Sequence, residues 1–409
     1  MKNICNEHET EINRPDLYRF PWSKTDNPGT WVEVTDTCNI SCVGCYRKQV
    51  AGHKDFDDLK KDIQDSIRLT NCDCIEIAGG EPLIYPHILE TVRYISSLKL
   101  KPVIFSNGVA LTPELVLELK KAGLAKIHFH IDSMQDRPGW QGKSEAELNL
   151  LRRYYADMIH QHGRGIQCGF HVTVYRNNLD QVPDIFNWAI QNINKVQHIS
   201  FIAFRTMPED QGLVFFANGR EVDARDMYGH TQEPQDITIT TDEMYQTLKK
   251  RFPFLHPCAY LNGTSKFETY KFLIMVNIGT SKSLIGHLGK RTMELVQMFH
   301  HLFMKKYPAF VKNPKVGLKI FFLMFMDRCL RNSFKNFIGL WIRNPMIIFQ
   351  KVYAQSLHLQ QPNEIIDGRV NLCDDCVNMM AYKGQLINSC MLEQYRMFNE
   401  PVTVVKIAR

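Results

Sequence analysis

The sequence predicts an α/β fold: a partial (β/α)6 barrel followed by a mainly helical, cysteine-containing extension. Three observations carry this. Six short apolar segments alternate with helix-patterned ones, chemically distinctive residues fall at the C-terminal ends of those segments, and the rhythm stops near Thr206.

Taken in order, Trp31–Thr37 reads as the first strand, with a cysteine-rich loop at its end. Asp55–Thr70 then has apolar residues at helical spacing. Cys74–Ala78 is a strand, Pro86–Leu98 a helix and Pro102–Ser106 the third strand. Pro113–Ala122 is a helix with proline in its first turn. Lys126–Ile131, Gly169–Val174 and His198–Phe204 complete the strands, with Ser144–His160 and Val182–Asn192 as the helices between them. Such alternation gives a parallel sheet with right-handed crossovers, either open and doubly wound or closed into part of a TIM-like barrel. The strand-end motifs favour the barrel, whose active sites form at that end. The expected division is a lead over 1–29, the barrel over 30–206 and the extension over 207–409. Within the extension, Met207–Thr240 reads as irregular, Asp242–Arg251 as a short helix and Met293–His358 as a long basic, apolar helical region broken by prolines.

Composition sets outer limits. Hydrophobic residues make up 44% and charged residues 22% of 409, the mix of a folded globular chain. A net charge of +6 is modest for this length, and no nucleic-acid-binding motif accompanies it. Met1–Phe20 lacks the apolar core of a signal peptide, which implies a cytoplasmic setting where thiols stay reduced. The twelve cysteines therefore read first as metal ligands or packing residues.

Cys38, Cys42 and Cys45 lie four and then three residues apart on one loop. Three thiolates converging from such a loop suit an iron–sulfur cluster. A four-iron cubane so held keeps one iron open, whereas structural zinc would want a nearby fourth Cys or His. The bland alternative is a zinc knuckle or simple burial.

This run, followed in the next strand–loop by Gly79-Gly80-Glu81-Pro82, resembles the signature of the radical S-adenosylmethionine (SAM) superfamily. The resemblance covers about residues 30 to 205, with Gly44 standing where an aromatic residue is common. It implies an enzyme whose 4Fe-4S cluster reductively cleaves SAM to a 5′-deoxyadenosyl radical that abstracts hydrogen from an unactivated carbon. On this resemblance Gly79, Gly80 and Glu81 would offer backbone groups to the methionine ammonium, and Pro82 would stiffen the turn. Ser106 and Asn107 would contact SAM's ribose and carboxylate. His130, Asp132 and Thr173 point to the same mouth, with a polar pair bracing the barrel top as the alternative for His130 and Asp132. Tyr175 and Arg205 are weaker candidates. Cys72, Cys74, Cys168, Cys329 and Cys5 read as packing or surface thiols.

A second cysteine group closes the chain. Cys373 and Cys376 with Cys390 fourteen residues on, and Cys258 as a fourth ligand, suit zinc or a second iron–sulfur cluster. The resemblance favours the cluster, because many relatives carry SPASM- or twitch-like auxiliary-cluster extensions, and it implies an electron donor such as flavodoxin or ferredoxin. Residues 317–326 and 337–349 are strongly apolar but shorter than the roughly 20 residues of a membrane span. Amid basic residues they suggest either helices covering the barrel's open side or a groove for a lipid, with peripheral membrane contact. The substrate reading is thus a small or lipid-like molecule. The alternatives are a peptide-modifying maturase and a non-catalytic iron–sulfur or zinc protein.

Overall fold

The computed structural model describes residues 12–47, 50–204, 212–223, 239–366 and 368–406. Six parallel strands form the partial barrel: β1 Gly29–Thr35, β2 Cys74–Gly79, β3 Lys101–Ser106, β4 Lys126–His130, β5 Gln167–Val174 and β6 His198–Ala203. Five helices cover them: α1 Phe56–Leu69, α2 Ile88–Ser97, α3 Pro113–Ala122, α4 Glu145–His162 and α5 Val182–Gln191.

The starts of these helices are written locally. Asp55 accepts from the Asp57 and Asp58 amides, Thr112 accepts from the Leu115 amide ahead of Pro113, and Ser144 with Glu147 forms a reciprocal capping box. Their apolar faces, with residues such as Leu59, Ile63, Val92 and Val116, pack onto outward-facing strand residues such as Ile127, Phe170, Val172 and Phe201. This is the main core. Residues pointing the other way, into the lumen, are largely polar or aromatic.

At its β6 edge the sheet continues into the extension. Tyr353–Gln360 pairs parallel to β6, Tyr270–Gly279 antiparallel to that strand, and Ala259–Asn262 and Leu284–His287 flank Tyr270–Gly279. At the β1 edge, Met379–Tyr382 meets Thr30 and forms a hairpin with Gln385–Asn388.

The extension carries the expected helices at Thr241–Arg251, Lys290–Met304 and Arg328–Arg343, with short 3-10 helices at Leu318–Phe325 and Pro345–Phe349. The region read as helical to His358 ends earlier, because Tyr353–Gln360 is a strand whose side chains alternate between buried and half-buried. Phe321, Leu330, Phe337 and Ile347 bury one side of the helical region in a second core with Phe272, Ile274 and Ile278. Among the described residues no helix is long and apolar enough to cross a membrane. Of the irregular connection expected over Met207–Thr240, Leu213–Ala217 forms a small sheet with Arg220–Val222 and Thr403–Lys406. Most of the remainder lies outside the described residues.

Candidate active site

The loop carrying Cys38, Cys42 and Cys45 sits over the C-terminal mouth of the barrel. It is pinned to the loop after β4: the Val43 amide donates to Met134 O (3.0 Å), and the Asp136 amide donates to Ser41 O (2.8 Å). All three cysteines are partly buried. Burial pushes the Cys42 thiol up, and the Asp132 carboxylate and the Cys45 and Cys38 thiols add to it. Three thiolates crowded beside a carboxylate are electrostatically unfavourable unless a cation or metal cluster shares the site, so the donor set fits an iron–sulfur cluster.

Gly44 has a steric reason. A Cβ there would come 2.5 Å from the Tyr175 hydroxyl and 3.2 Å from Thr173. Tyr175 and Phe204, their rings 4.8 Å apart, fill the space beside the loop from the ends of β5 and β6. The aromatic residue on the loop is Tyr46, whose hydroxyl donates to Gly79 O at 3.3 Å.

The Gly79–Pro82 turn follows β2. Gly79 has φ +125°, and a Cβ there would lie 2.3 Å from Thr35 O, so neither the conformation nor the space admits a side chain. The Gly80 and Glu81 amides donate to Thr35 O (2.7 Å) and Thr37 O (2.9 Å). With those N–H groups committed, what the turn has left to offer a ligand is its carbonyls, which are acceptors. Glu81 is fully buried and turned inward, accepting from Ser106 Oγ (2.7 Å), the Asn107 amide (2.6 Å) and the Leu83 amide (2.9 Å). Burial pushes its carboxyl up against the pull of these bonds. Ser106, whose hydroxyl also accepts from the Gly108 amide (2.8 Å), thereby braces the turn, and Pro82 opens a short 3-10 helix behind it.

Asn107 reaches the cysteine loop, donating to Asn39 Oδ1 (2.7 Å) and lying 3.7 Å from Cys38 Sγ. His130 Nε2 lies 2.8 Å from Thr173 Oγ1 and 3.2 Å from the buried Asp132 carboxylate, so these three form one polar group at the mouth. Arg205 lies outside the described residues, as does Cys5.

Several residues here carried no sequence signal. Arg137 is buried and donates to Asn107 O (2.6 Å), His130 O (3.0 Å) and Gln135 Oε1 (2.9 Å), tying β3 to β4. Arg47, just past the cysteine run, is buried among Glu33, Asp36 and Glu393 (3.1 Å). That network joins the cluster loop to the C-terminal helix Leu392–Phe398. Neither arginine stands in a motif, and only the fold brings its partners together.

The second cysteine group is three residues, not four. Cys373, Cys376 and Cys390 come together, their thiols pushed up first by burial and then by one another, Cys373 to about 12. Cys258 does not join them. Its amide donates to Ile274 O (2.8 Å) and its thiol to the same carbonyl (3.4 Å), deep in the second core near Cys329 and Asp327. Cys373 bridges Gly263, five residues further along an extended segment, or about 16 Å away. Cys72, Cys74 and Cys168 are buried, as packing thiols should be.

A cavity of about 530 Å³ runs from the cysteine loop through the lumen. It is lined at the mouth by Cys38, Cys42, Gly79 and Tyr175, on one flank by Ser389 and Cys390, and on the other by apolar residues of the extension, including Phe272, Met293, Val296 and Ile320. Pro308, Phe310 and Val311 close its floor, where Gln167 Nε2 donates to Val311 O and Lys101 Nζ to Phe310 O (3.3 Å).

Residues 32–189 match the radical SAM superfamily. The AdoMet-dependent heme synthase of Methanosarcina barkeri is 29% identical over 42% of this chain and 49% of its own length. A GTP 3′,8-cyclase of Clostridium botulinum is 31% identical over 58% of this chain and 76% of its own length. The chain spans about half the length of the first curated relatives it matches, at 49%, 47% and 42%. Among solved structures, anSMEcpe with bound AdoMet and a peptide gives a TM-score of 0.39 at 12% identity, over 56% of this chain and 59% of that one. Streptococcus suis SuiB bound to its precursor peptide SuiA gives 0.35 at 17% identity, over 44% and 40%.

Proposed function

The chain belongs to the radical SAM superfamily of enzymes, and from that premise we propose that it abstracts hydrogen from an unactivated carbon of an apolar, lipid-like substrate held between barrel and extension. The observation that carries this is the continuity of the cavity. One space touches the three-cysteine loop, the Gly79 turn, Cys390 and the apolar wall of Phe272, Met293, Val296 and Ile320.

Cys38, Cys42 and Cys45 would hold the 4Fe-4S cluster. With SAM bound, that cluster supplies a one-electron reductive cleavage and a hydrogen-abstracting radical. The carbonyls of Gly79, Gly80 and Glu81 would accept from the methionine ammonium, with Glu81, Ser106 and Pro82 fixing the turn from behind. Asn107 would orient the open side of the cluster loop. His130, Asp132 and Thr173 would contact SAM or substrate at the mouth. Tyr175 and Phe204 exclude water from the loop's inner side. Cys373, Cys376 and Cys390 would hold a second cluster, and Cys390 lines the cavity. The reductant would be a small donor such as flavodoxin or ferredoxin.

The extension supports the lipid reading. Met298, Phe299, Leu302, Phe303, Phe322, Phe325, Ile342 and Phe349 are each more than half exposed. Lys305, Lys306, Lys319, Arg328, Arg331, Lys335 and Arg343 are interspersed with them. An apolar surface of this extent with basic residues among it suits an anionic bilayer face, where the neighbouring cavity could take up a chain from the membrane.

The decisive experiment uses reconstituted, reduced protein with SAM. 5′-Deoxyadenosine should form, should be abolished by the Cys38→Ala, Cys42→Ala, Cys45→Ala triple variant, and should rise with vesicles containing phosphatidylglycerol. The protein should sediment with those vesicles, less so in high salt, and Phe303→Asp with Phe325→Asp should release it. Absence of 5′-deoxyadenosine from iron-loaded protein removes the chemistry. Cleavage without sedimentation removes the lipid, leaving a small molecule or peptide as substrate.

A further inference from the structure

Beneath the cysteine loop, the lumen carries a cluster that the reaction above does not use. His128 on β4, His171 on β5 and His198 on β6 point inward from adjacent strands. The register sets His128 and His198 on either side of Gly169, with His171 one inward step along β5. The ring centroids lie 4.5 Å apart for His128–His171, 4.9 Å for His128–His198 and 5.3 Å for His171–His198. One nitrogen of each lies within 4.8 Å of the others. Glycine at 169 makes the room, since a Cβ there would come 2.6 Å from His128 Nδ1.

Two of these rings have unmet bonding capacity. His128 Nδ1 and His171 Nε2 are buried with no hydrogen-bond partner, and His128 is only 6% exposed. Buried polar atoms of this kind are uncommon and call for a partner. His198 Nδ1 is paired with Ser356 Oγ at 2.7 Å, a bond that fixes its ring as outer hydrogen bonds fix metal-ligating histidines.

The surroundings narrow the partner. One nitrogen from each of three imidazoles converges within 4.8 Å in the cavity wall. Their lone pairs would repel an anion, and an apolar ligand would leave the nitrogens unpaired. A cation that prefers nitrogen donors answers both conditions, and three neutral imidazoles with a free fourth position are a recurrent zinc donor set.

We propose that His128, His171 and His198 bind a divalent transition metal, zinc by donor type, whose remaining position faces the cavity and can take an oxygen or nitrogen donor of the substrate. The role of that open position rests on the cavity being the reaction chamber; the metal site itself does not.

The test uses the full chain with its iron–sulfur sites reconstituted, equilibrated with zinc and freed of loose metal on a chelating resin. About one zinc per chain should remain above the iron. Its X-ray absorption should show imidazole nitrogens at about 2.0–2.1 Å and no sulfur shell. His171→Phe with His198→Phe should lower retained zinc at least tenfold while iron content stays the same. Absence of zinc, a sulfur shell at about 2.3 Å, or equal zinc in the double variant would overturn the proposal. Should the variant not fold, the absorption spectrum of the wild-type protein decides. Iron content and 5′-deoxyadenosine formation in the same sample report separately on the radical reaction.

Discussion

Gly44 illustrates how one residue can carry a site's geometry without chemistry of its own. The loop approaches β5 closely enough that an added methyl meets the Tyr175 hydroxyl and the Thr173 methyl. Gly44→Ala should therefore destabilise the loop by about 1–3 kcal/mol, the usual cost of overpacking. It should also lower the iron retained after gel filtration. Adding Tyr175→Phe removes the nearer atom and should restore part of that iron, which a general folding defect would not allow. The second cysteine group gives a matching contrast. Cys376→Ala should lose one cluster's share of iron. Cys258→Ala should keep all of it and show only a lowered melting temperature from the cavity left in the second core. Equal iron loss in both variants would return Cys258 to the ligand set.

Among the elements, the barrel was legible because its signals are local. Pro113–Ala122 matches the expected helix at both ends, since Thr112 and Pro113 write its start and Gly123 its stop. The strands at the edge of the extension were not legible. Tyr270–Gly279 is an apolar run interrupted only by Lys271 and Asn277, a pattern that periodicity cannot tell from a buried helix, and its partners lie about 80 residues away at Tyr353–Gln360. The lumen histidines did leave a trace. A parallel strand covered by helices should read as a continuous apolar run, yet His128, His130, His171 and Thr173 alternate with Ile127, Phe129, Phe170 and Val172. That alternation marks a polar interior, and its sequence spacing gives no hint that three strands meet there. On Leu284–His287, His287 carries a pH prediction. Its Nε2 is buried without a partner, and burial, with His256 stacked 6.0 Å away, pushes it down to about 3. As pH falls below about 6.5 the unfolded chain takes up this proton and the folded chain does not. Stability should drop by up to about 1.4 kcal/mol per pH unit towards pH 3 on this account. Urea midpoints at pH 7.5 and 5.5 should converge in His287→Gln, and an unchanged gap would show that other groups set the acid sensitivity.

At the scale of the molecule, barrel and extension share one sheet, and the catalytic loop depends on both. Ser356–Gln360 pairs with His198–Ile202, so β6 is an interior strand of this chain. Arg47, buried beside Cys45, pairs with Glu33 and Asp36 from the barrel and with Glu393 from the C-terminal helix. Pro308, Phe310 and Val311 of the extension close the barrel floor. A chain cut after residue 240 would expose the β6 edge, open the lumen at its base and leave Arg47 short of one carboxylate. An unpaired edge of a largely apolar sheet invites intermolecular pairing, and breaking a buried ion network typically costs about 3–5 kcal/mol. The truncated chain should therefore aggregate and fail to retain a cluster on Cys38, Cys42 and Cys45, although all three cysteines remain. Arg47→Met in the full chain separates the two contributions. It removes the charge that the three carboxylates surround and keeps the sheet edge covered, so it should keep the wild-type size by light scattering while losing iron faster than wild type. A non-aggregating, iron-retaining truncation would mean instead that the barrel is complete by itself and that the extension serves only the substrate.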